Sequence, residues 1–134
     1  MEGLKIHEMT IKPEYFDLVQ TGEKIYEVRT NDHRRKAMNV GDYIHLVSEE
    51  ENQRQLYLRI DGKIEFPTFA QLYDTLPKRD VGFEGQTTEQ IVDALRKFYT
   101  EETEKETGVV AIKVSLVKEL DLNKPKSLGK RPKI

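Results

Sequence analysis

Hydrophobic and polar positions alternate along much of this chain, and changes in their period predict its first elements. Residues 4–12 (LKIHEMTIK) follow the two-residue period of a strand, with one slip. In residues 13–22 (PEYFDLVQTG) the apolar side chains fall at helical spacing, Pro13 suits a first helical turn, and Gly22 can take the left-handed position that ends a helix. The two-residue period returns in residues 24–30 (KIYEVRT). The pattern therefore predicts a strand, a helix and a second strand in succession.

The rest of the pattern predicts further strands and two more helices. Strands are predicted at residues 39–47, at 56–66, which an Asp61-Gly62 turn can divide, and at 108–117. The continuous apolar run of the last segment indicates a central position in the sheet. Helices are predicted at residues 69–76 and 87–102, and the second is expected to bury Ile91, Ala94, Leu95 and Phe98. Five or six strands with about three flanking helices predict an α+β fold around a small β-barrel.

Composition narrows the class of protein. The 134 residues are 37% hydrophobic, enough for one domain, which we place at residues 1–122 with a basic, flexible tail at 123–134. The chain has no cysteine, which excludes disulfides and thiolate metal sites, and its three histidines lie in separate segments. No metal or other cofactor is therefore predicted. No apolar run approaches the length of a signal peptide or the about 20 residues of a membrane span, so we expect a cytoplasmic protein that does not contact membranes.

The net charge of −2 is unevenly distributed along the chain. The tail carries a local charge of +5 and contains no acid, so residues 1–122 carry −7. A second basic cluster, RTNDHRRK, has a single acid, Asp32, among four cations, Arg29, Arg34, Arg35 and Lys36. Both clusters can contact the phosphates of a nucleic acid or a nucleotide. The alternative for each is a solvated segment without a ligand.

The predicted strand KIYEVRT carries more charge than a strand entering a small core usually does. Ile25, Glu27 and Arg29 project from one face, while Tyr26 and Val28 project from the other. Glu27 and Arg29 can therefore form an ion pair, whose burial would cost desolvation energy that their attraction only partly offsets. Such a pair either lines a barrel mouth where a polar ligand binds or belongs to an exposed strand face with solvated charges.

A short motif crosses the junction between the first helix and the second strand. The spacing G-x-K-x-x-E-x-R is formed by Gly22, Lys24, Glu27 and Arg29. It resembles the signature of the ASCH domain family, and the segments VGDYIHL, EGQTTEQIVDALRKFY and GVVAIKV extend the resemblance over most of residues 4–117. The resemblance implies a PUA-like β-barrel that binds RNA or a nucleotide in a cleft lined by the motif residues. From the basic cluster we add Arg34 and Arg35 as further ligand contacts.

A few small ASCH proteins hydrolyse acetylated cytidine with a lysine, a threonine and a glutamate. Carried over by resemblance, these roles fall on Lys24, on Glu27 in place of the threonine, and on Glu84. Two carboxylates beside Lys24 favour its charged form, which suits ligand binding better than proton abstraction. We therefore predict RNA or nucleotide binding. The alternatives are an amidohydrolase of N-acylated cytidine-type nucleosides and a protein-interaction module in a transcription or RNA-related complex.

Aromatic and acidic residues add two expectations about RNA contact. Aromatic side chains can stack on bases, although at strand parity they more often belong to the core. The candidates for stacking are Tyr26, Tyr43, Tyr57, Phe66 and Phe69. The acidic run at residues 49–51 repels a polyanion, so RNA contact is expected on the side that carries Arg34, Arg35 and the tail.

Overall fold

Five strands form one curled half-barrel sheet in the computed structural model, which describes residues 5–50 and 52–118. The strands are β1 Ile6–Ile11, β2 Tyr26–Thr30, β3 Tyr43–Ser48, β4 Gln55–Phe66 and β5 Val109–Leu116. Their order across the sheet is β1-β3-β4-β5-β2, with β1 and β3 parallel and the other neighbours antiparallel. The prediction of an α+β fold around a small barrel is confirmed. The predicted tail at 123–134 lies outside the described residues.

Helices connect the strands and pack against both faces of the sheet. In the described part of the chain these are α1 Pro13–Thr21, α2 His33–Lys36, α3 Phe69–Thr75, α4 Thr88–Leu95, α5 Glu101–Thr107 and a 3-10 helix at Arg79–Val81. Pro13 opens α1 and Gly22 closes it with a left-handed φ of 87°. A capping box between Thr87 and Gln90 opens α4. None of the helices in residues 5–50 and 52–118 is long and apolar enough to cross a membrane.

Local hydrogen bonding explains two departures from the predicted elements. The Asp61-Gly62 pair does not divide β4, because a bulge between Ile60 and Gly62 absorbs the irregularity and the strand continues. The basic cluster folds into the one-turn helix α2, which the pattern did not predict. Its N-cap is Asp32, whose carboxylate accepts a hydrogen bond from the backbone N–H of Arg35 at 3.1 Å.

The predicted helix at residues 87–102 is interrupted. It ends at Leu95, and a new helix, α5, begins after Thr100, which is extended and accepts a hydrogen bond from the N–H of Thr103. Ala94 and Phe98 were expected in the core, and both are exposed. The interruption leaves Phe98 in a turn at the protein surface, with 63% of its area accessible.

Two apolar clusters lie on opposite faces of the sheet. The barrel cluster fills the concave side and includes Phe16, Ile44, Leu46, Leu58, Val110 and Ile112. The helix cluster packs α3 and α4 against the other side and includes Phe69, Leu72, Tyr73, Ile91, Val109 and Ala111. β5 contributes alternate residues to both clusters, which explains its continuous apolar run.

Candidate functional site

The half-barrel is open between its two edge strands, β1 and β2. Arg29 of β2 spans the opening, because its Nη2 donates a hydrogen bond to the backbone oxygen of Thr10 in β1 at 2.9 Å. A cavity of about 320 Å³ lies at this opening. Its lining comes from β1, β2, α1, α3, the 3-10 helix and the turn after α4. We call it the main cavity.

The register of β2 against β5 decides where the charged side chains of β2 point. Residues that face each other across two strands share one face of the sheet. Glu27 lies opposite Ile112 and Arg29 lies opposite Val110, and both partners belong to the barrel cluster. The two charged residues therefore project toward the barrel side. Tyr26 and Val28, on the alternate positions, pack against the helix cluster.

Lys24, Glu27 and Arg29 form a connected chain of charges at the base of the main cavity. Lys24 Nζ donates hydrogen bonds to Glu27 Oε1 at 2.7 Å and to the backbone oxygen of Tyr26 at 2.6 Å. Arg29 Nη2 lies 3.5 Å from the other carboxylate oxygen of Glu27. Lys24 is 6% exposed and Glu27 is 3% exposed, so the pair is buried. A buried pair contributes little net stability, but removal of one partner leaves an uncompensated charge.

Two glycines determine the position of Lys24. Gly22 ends α1 in the left-handed conformation and turns the chain toward β2. The start of β2 is then tied to the 3-10 helix by a hydrogen bond from the N–H of Ile25 to the backbone oxygen of Asp80 at 2.9 Å. Gly82 follows the 3-10 helix, and a Cβ atom there would lie 2.9 Å from Lys24 Cδ. The Lys24 side chain therefore passes through space that only glycine leaves open.

The electrostatics of the site keep Glu27 ionised. Burial by itself would raise the pKa of Glu27, but the Lys24 ammonium and the Arg29 guanidinium outweigh it and hold the pKa of Glu27 below its ordinary value. Burial also raises the pKa of Tyr73, which lines the same cavity, and the Glu27 carboxylate adds to that effect. The base of the cavity thus presents two cations and one carboxylate, a net charge of +1.

Aromatic and aliphatic side chains form the walls above these charges. They are Tyr15, Tyr73, Val81, Phe83, Leu95, Phe98 and Tyr99. The rings of Tyr15 and Phe83 meet edge to face with centroids 5.5 Å apart. Lys12 Nζ lies 4.7 Å from the centroid of the exposed Phe98 ring, which is cation–π distance. The cavity therefore combines a charged base with flat apolar walls.

The structure brings most of the predicted site residues together. Lys24, Glu27 and Arg29 line the main cavity, and Gly22 lies in the turn that leads to Lys24. Arg34 and Arg35 line a neighbouring cavity that also includes Arg29.

Glu84 is placed apart from this group. It is exposed in a turn in which the N–H of Gln86 donates to the backbone oxygen of Phe83, and it does not line the main cavity. Phe83, in the same turn, lines the main cavity instead. The other carboxylate on the cavity lining is Glu49, at the end of β3, in the acidic run that we expected to face away from a ligand.

The aromatic residues named as candidates for stacking lie away from the main cavity, in agreement with the greater tendency of aromatics at strand parity to belong to the core. None of Tyr26, Tyr43, Tyr57, Phe66 and Phe69 lines the main cavity. Phe69 is buried in the helix cluster, Tyr26 and Phe66 pack against it, and Tyr57 stacks on His45 with centroids 4.8 Å apart. The aromatic residues that line the cavity come from α1, α3 and two turns. The sequence pattern did not mark these residues, because Phe98 lies inside the predicted helix 87–102 and Phe83 lies between two predicted helices.

Metal ligation has no candidate in the described residues. Residues 5–50 and 52–118 contain no group of three histidine or acidic side chains positioned to hold a metal ion. His7 instead contacts Asp42, with Nε2 and Oδ2 2.9 Å apart, and His45 contacts Glu8, with Nδ1 and Oε1 2.8 Å apart.

Comparisons with known proteins agree with this architecture. The fold and the site define the class of protein: a small α+β half-barrel with charged residues at its open edge. The ASCH domain family profile matches residues 9–118, and the chain belongs to this family. The crystal structure of a hypothetical protein has 30% sequence identity and a TM-score of 0.74, covering 85% of this chain and all of that one. The solution NMR structure of a Pyrococcus furiosus protein has 26% identity and a TM-score of 0.69, covering 85% of this chain and 99% of that one. No curated protein matches the sequence.

Proposed function

We propose that this ASCH domain binds a single nucleobase of an RNA strand or a nucleotide in the main cavity. The observation that carries the proposal is the combination, in one cavity, of the buried Lys24–Glu27–Arg29 chain with aromatic walls. The volume of about 320 Å³ lies at the lower end of small-ligand pockets and suits one base, not a duplex. We place this activity in the cytoplasm.

The base of the cavity supplies the hydrogen-bonding groups that a nucleobase edge requires. A lysine ammonium has three N–H donors, and Lys24 directs two of them at Tyr26 and Glu27, which leaves one for a ligand carbonyl. The carboxylate of Glu27 has further acceptor sites beyond Lys24 and Arg29, and these suit an exocyclic amine. A pyrimidine such as cytosine presents both groups on one edge.

The walls supply the contact with the faces of the base. Stacking on aromatic rings is the common mode by which proteins hold unpaired bases, and it tolerates different bases. Phe98 is the most suitable stacking surface, because it lines the cavity and is 63% exposed. Its neighbour Lys12 is positioned to contact the backbone of the same ligand.

Titration calorimetry with cytidine, uridine and a short single-stranded RNA tests the proposal. We expect saturable binding that is reduced but measurable in Lys24→Arg, because the charge remains while the shape changes. Lys113→Arg is the matched control, since Lys113 is exposed and does not line the cavity. No saturable binding of any of these ligands to the wild-type protein would refute the proposal.

Hydrolysis of acetylcytidine is the second candidate, since Lys24 and Glu27 adjoin each other in the cavity. Incubating the protein with acetylcytidine and following deacetylation tests it. We expect little or no turnover, because Glu27 replaces a threonine and Glu84 lies outside the cavity. Turnover that disappears in Lys24→Arg would instead establish an amidohydrolase, as arginine does not lose its proton in this pH range. The protein-interaction role stays a prediction.

A further inference from the structure

A second cavity adjoins the main cavity on the far side of Arg29. Its volume is about 290 Å³, and it is lined by Arg29, Arg34 and Arg35 with parts of β1 and β3. We call it the arginine pocket. Glu8 is the one acid on its lining, and the carboxylate of Glu8 is engaged by His45 Nδ1 at 2.8 Å. The lining therefore gathers three guanidinium groups and one acid, while Glu27 lies 3.5 Å from Arg29 and Asp32 lies 4.0 Å from Arg35.

The arginine side chains have unused hydrogen-bonding capacity. Arg35 is 8% exposed, its Nε is buried without a hydrogen-bond partner, and its Nη1 lies 4.0 Å from its nearest acid, Asp32. Within the described residues the Arg35 guanidinium donates no hydrogen bond to the protein. Arg34 makes one long contact, from Nη2 to the backbone oxygen of Glu8 at 3.5 Å. A buried guanidinium with one distant ion pair and no hydrogen bond is costly, so an anion in this pocket would be stabilised.

The three positive charges of the arginine pocket also repel one another. Burial lowers the pKa of Arg35 below its ordinary value, and the charges of Arg29 and Arg34 lower it further, although the Asp32 carboxylate partly offsets them. An anion between the three groups would relieve both effects. Phosphate suits this site, because its oxygens accept paired hydrogen bonds from planar guanidinium groups.

The two cavities share Arg29 and Thr10 on their linings. A base in the main cavity and a phosphate in the arginine pocket would thus lie on either side of one residue. This arrangement matches a nucleotide, in which a ribose joins the two parts. Arg29 then contacts both ends of the ligand.

We propose that the arginine pocket is a phosphate site for the nucleotide whose base occupies the main cavity. A phosphate site at this place implies that the ligand is a nucleotide and not a free nucleoside. This inference rests on the proposed function. The phosphate is either the terminal group of a mononucleotide or a diester within an RNA strand. Both sources present the same oxygens to the three arginines.

Calorimetry with matched ligands and matched variants tests the inference. The ligands are cytidine, its 5′- and 3′-monophosphates, inorganic phosphate and a short RNA with unphosphorylated ends. Arg34→Gln and Lys36→Gln each remove one positive charge from an exposed position of α2, but only Arg34 lines the pocket. We expect one monophosphate to bind at least about 10-fold more tightly than cytidine to the wild-type protein, which is the strength of one charge-assisted contact. Arg34→Gln should remove most of this preference for the monophosphate over cytidine, while Lys36→Gln should preserve it.

The ligand series separates the inference from the proposed function. Equal affinity for cytidine and both monophosphates would overturn the phosphate site and leave the base cavity standing. Phosphate binding that disappears in Arg34→Gln, without any nucleoside binding, would support the arginine pocket and overturn the base cavity. If the RNA binds as tightly as the better monophosphate, the site takes a diester; if it binds more weakly, the site takes a terminal phosphate. A fall in cytidine affinity in Arg34→Gln equal to the fall in monophosphate affinity would also overturn the inference.

Discussion

Replacement of Gly82 by alanine tests how tightly the fold confines Lys24. The added Cβ atom would lie 2.9 Å from Lys24 Cδ and 3.2 Å from Cε. Carbon atoms in contact normally lie about 3.5–4.0 Å apart, so the lysine stem must retreat by about 0.5 Å or more. The stem has little room to do so, because Lys24 Nζ is held by Glu27 at 2.7 Å and by the backbone oxygen of Tyr26 at 2.6 Å.

Gly85→Ala is the matched control for this variant. Gly82 and Gly85 both have φ of +87°, but a Cβ atom on Gly85 would meet nothing within 4 Å. Both variants therefore place a side chain at the same positive φ, which costs about 1–2 kcal/mol in the left-handed region. The change in the entropy of the unfolded chain is also common to both. The difference between the two variants isolates the contact with Lys24.

The expected difference follows from the hydrogen bond that is disturbed. A hydrogen bond to a charged group contributes about 1.5–3 kcal/mol, and displacement of Lys24 weakens the one to Glu27 without removing it. We expect Gly82→Ala to lower the free energy of unfolding by about 1–2 kcal/mol more than Gly85→Ala does. For a domain of this size that corresponds to a Tm lower by about 3–8 °C. Urea denaturation and calorimetry measure both quantities.

A double-mutant cycle checks that Lys24 is the cause. Lys24→Ala removes Cδ and Cε, so Gly82→Ala and Gly85→Ala should lower the free energy of unfolding equally when Lys24 is alanine. Equal destabilisation of Gly82→Ala and Gly85→Ala in the wild-type background would refute the reasoning about Lys24. A difference that persists in the Lys24→Ala background would show that another contact is responsible.

Three further predictions concern pH, stacking and salt. The pKa of Glu27 is lower in the folded than in the unfolded chain, so the ionised carboxylate should contribute its full stability above pH 4.5, and this contribution should disappear as the pH falls through the folded pKa. Glu27→Gln should remove this part of the acid dependence of the free energy of unfolding, measured by denaturation at a series of pH values. Phe98→Ala should weaken RNA binding by about 1–3 kcal/mol, as for one stacked base, while Val40→Ala, another exposed apolar truncation away from the cavity, should not change it. Deletion of residues 123–134 should flatten the dependence of log affinity on log salt by about 0.7 for each RNA phosphate that the tail neutralises, and an unchanged slope would exclude the tail from binding.

Local sequence determined most of the elements and the chemistry of the motif. Pro13 and Gly22 bound α1, alternation placed Glu27 and Arg29 on one face of β2, and the continuous apolar run of β5 indicated an inner strand. These features depend on residues within a few positions of each other. Their physical causes, backbone conformation and the two-residue period of a strand, are therefore present in the sequence itself.

Tertiary structure decided which residues share the site. The register between β2 and β5 turned Glu27 toward the barrel side, and the main cavity lies at the opening between β2 and β1. Glu49 lines the main cavity and Glu84 does not, and the aromatic residues of its walls come from segments far apart in the chain. Arg35 became part of a charged pocket because α2 packs beside Arg29. These placements depend on contacts between residues distant in sequence, and hydrophobic periodicity carries no information about them because it reports only on near neighbours.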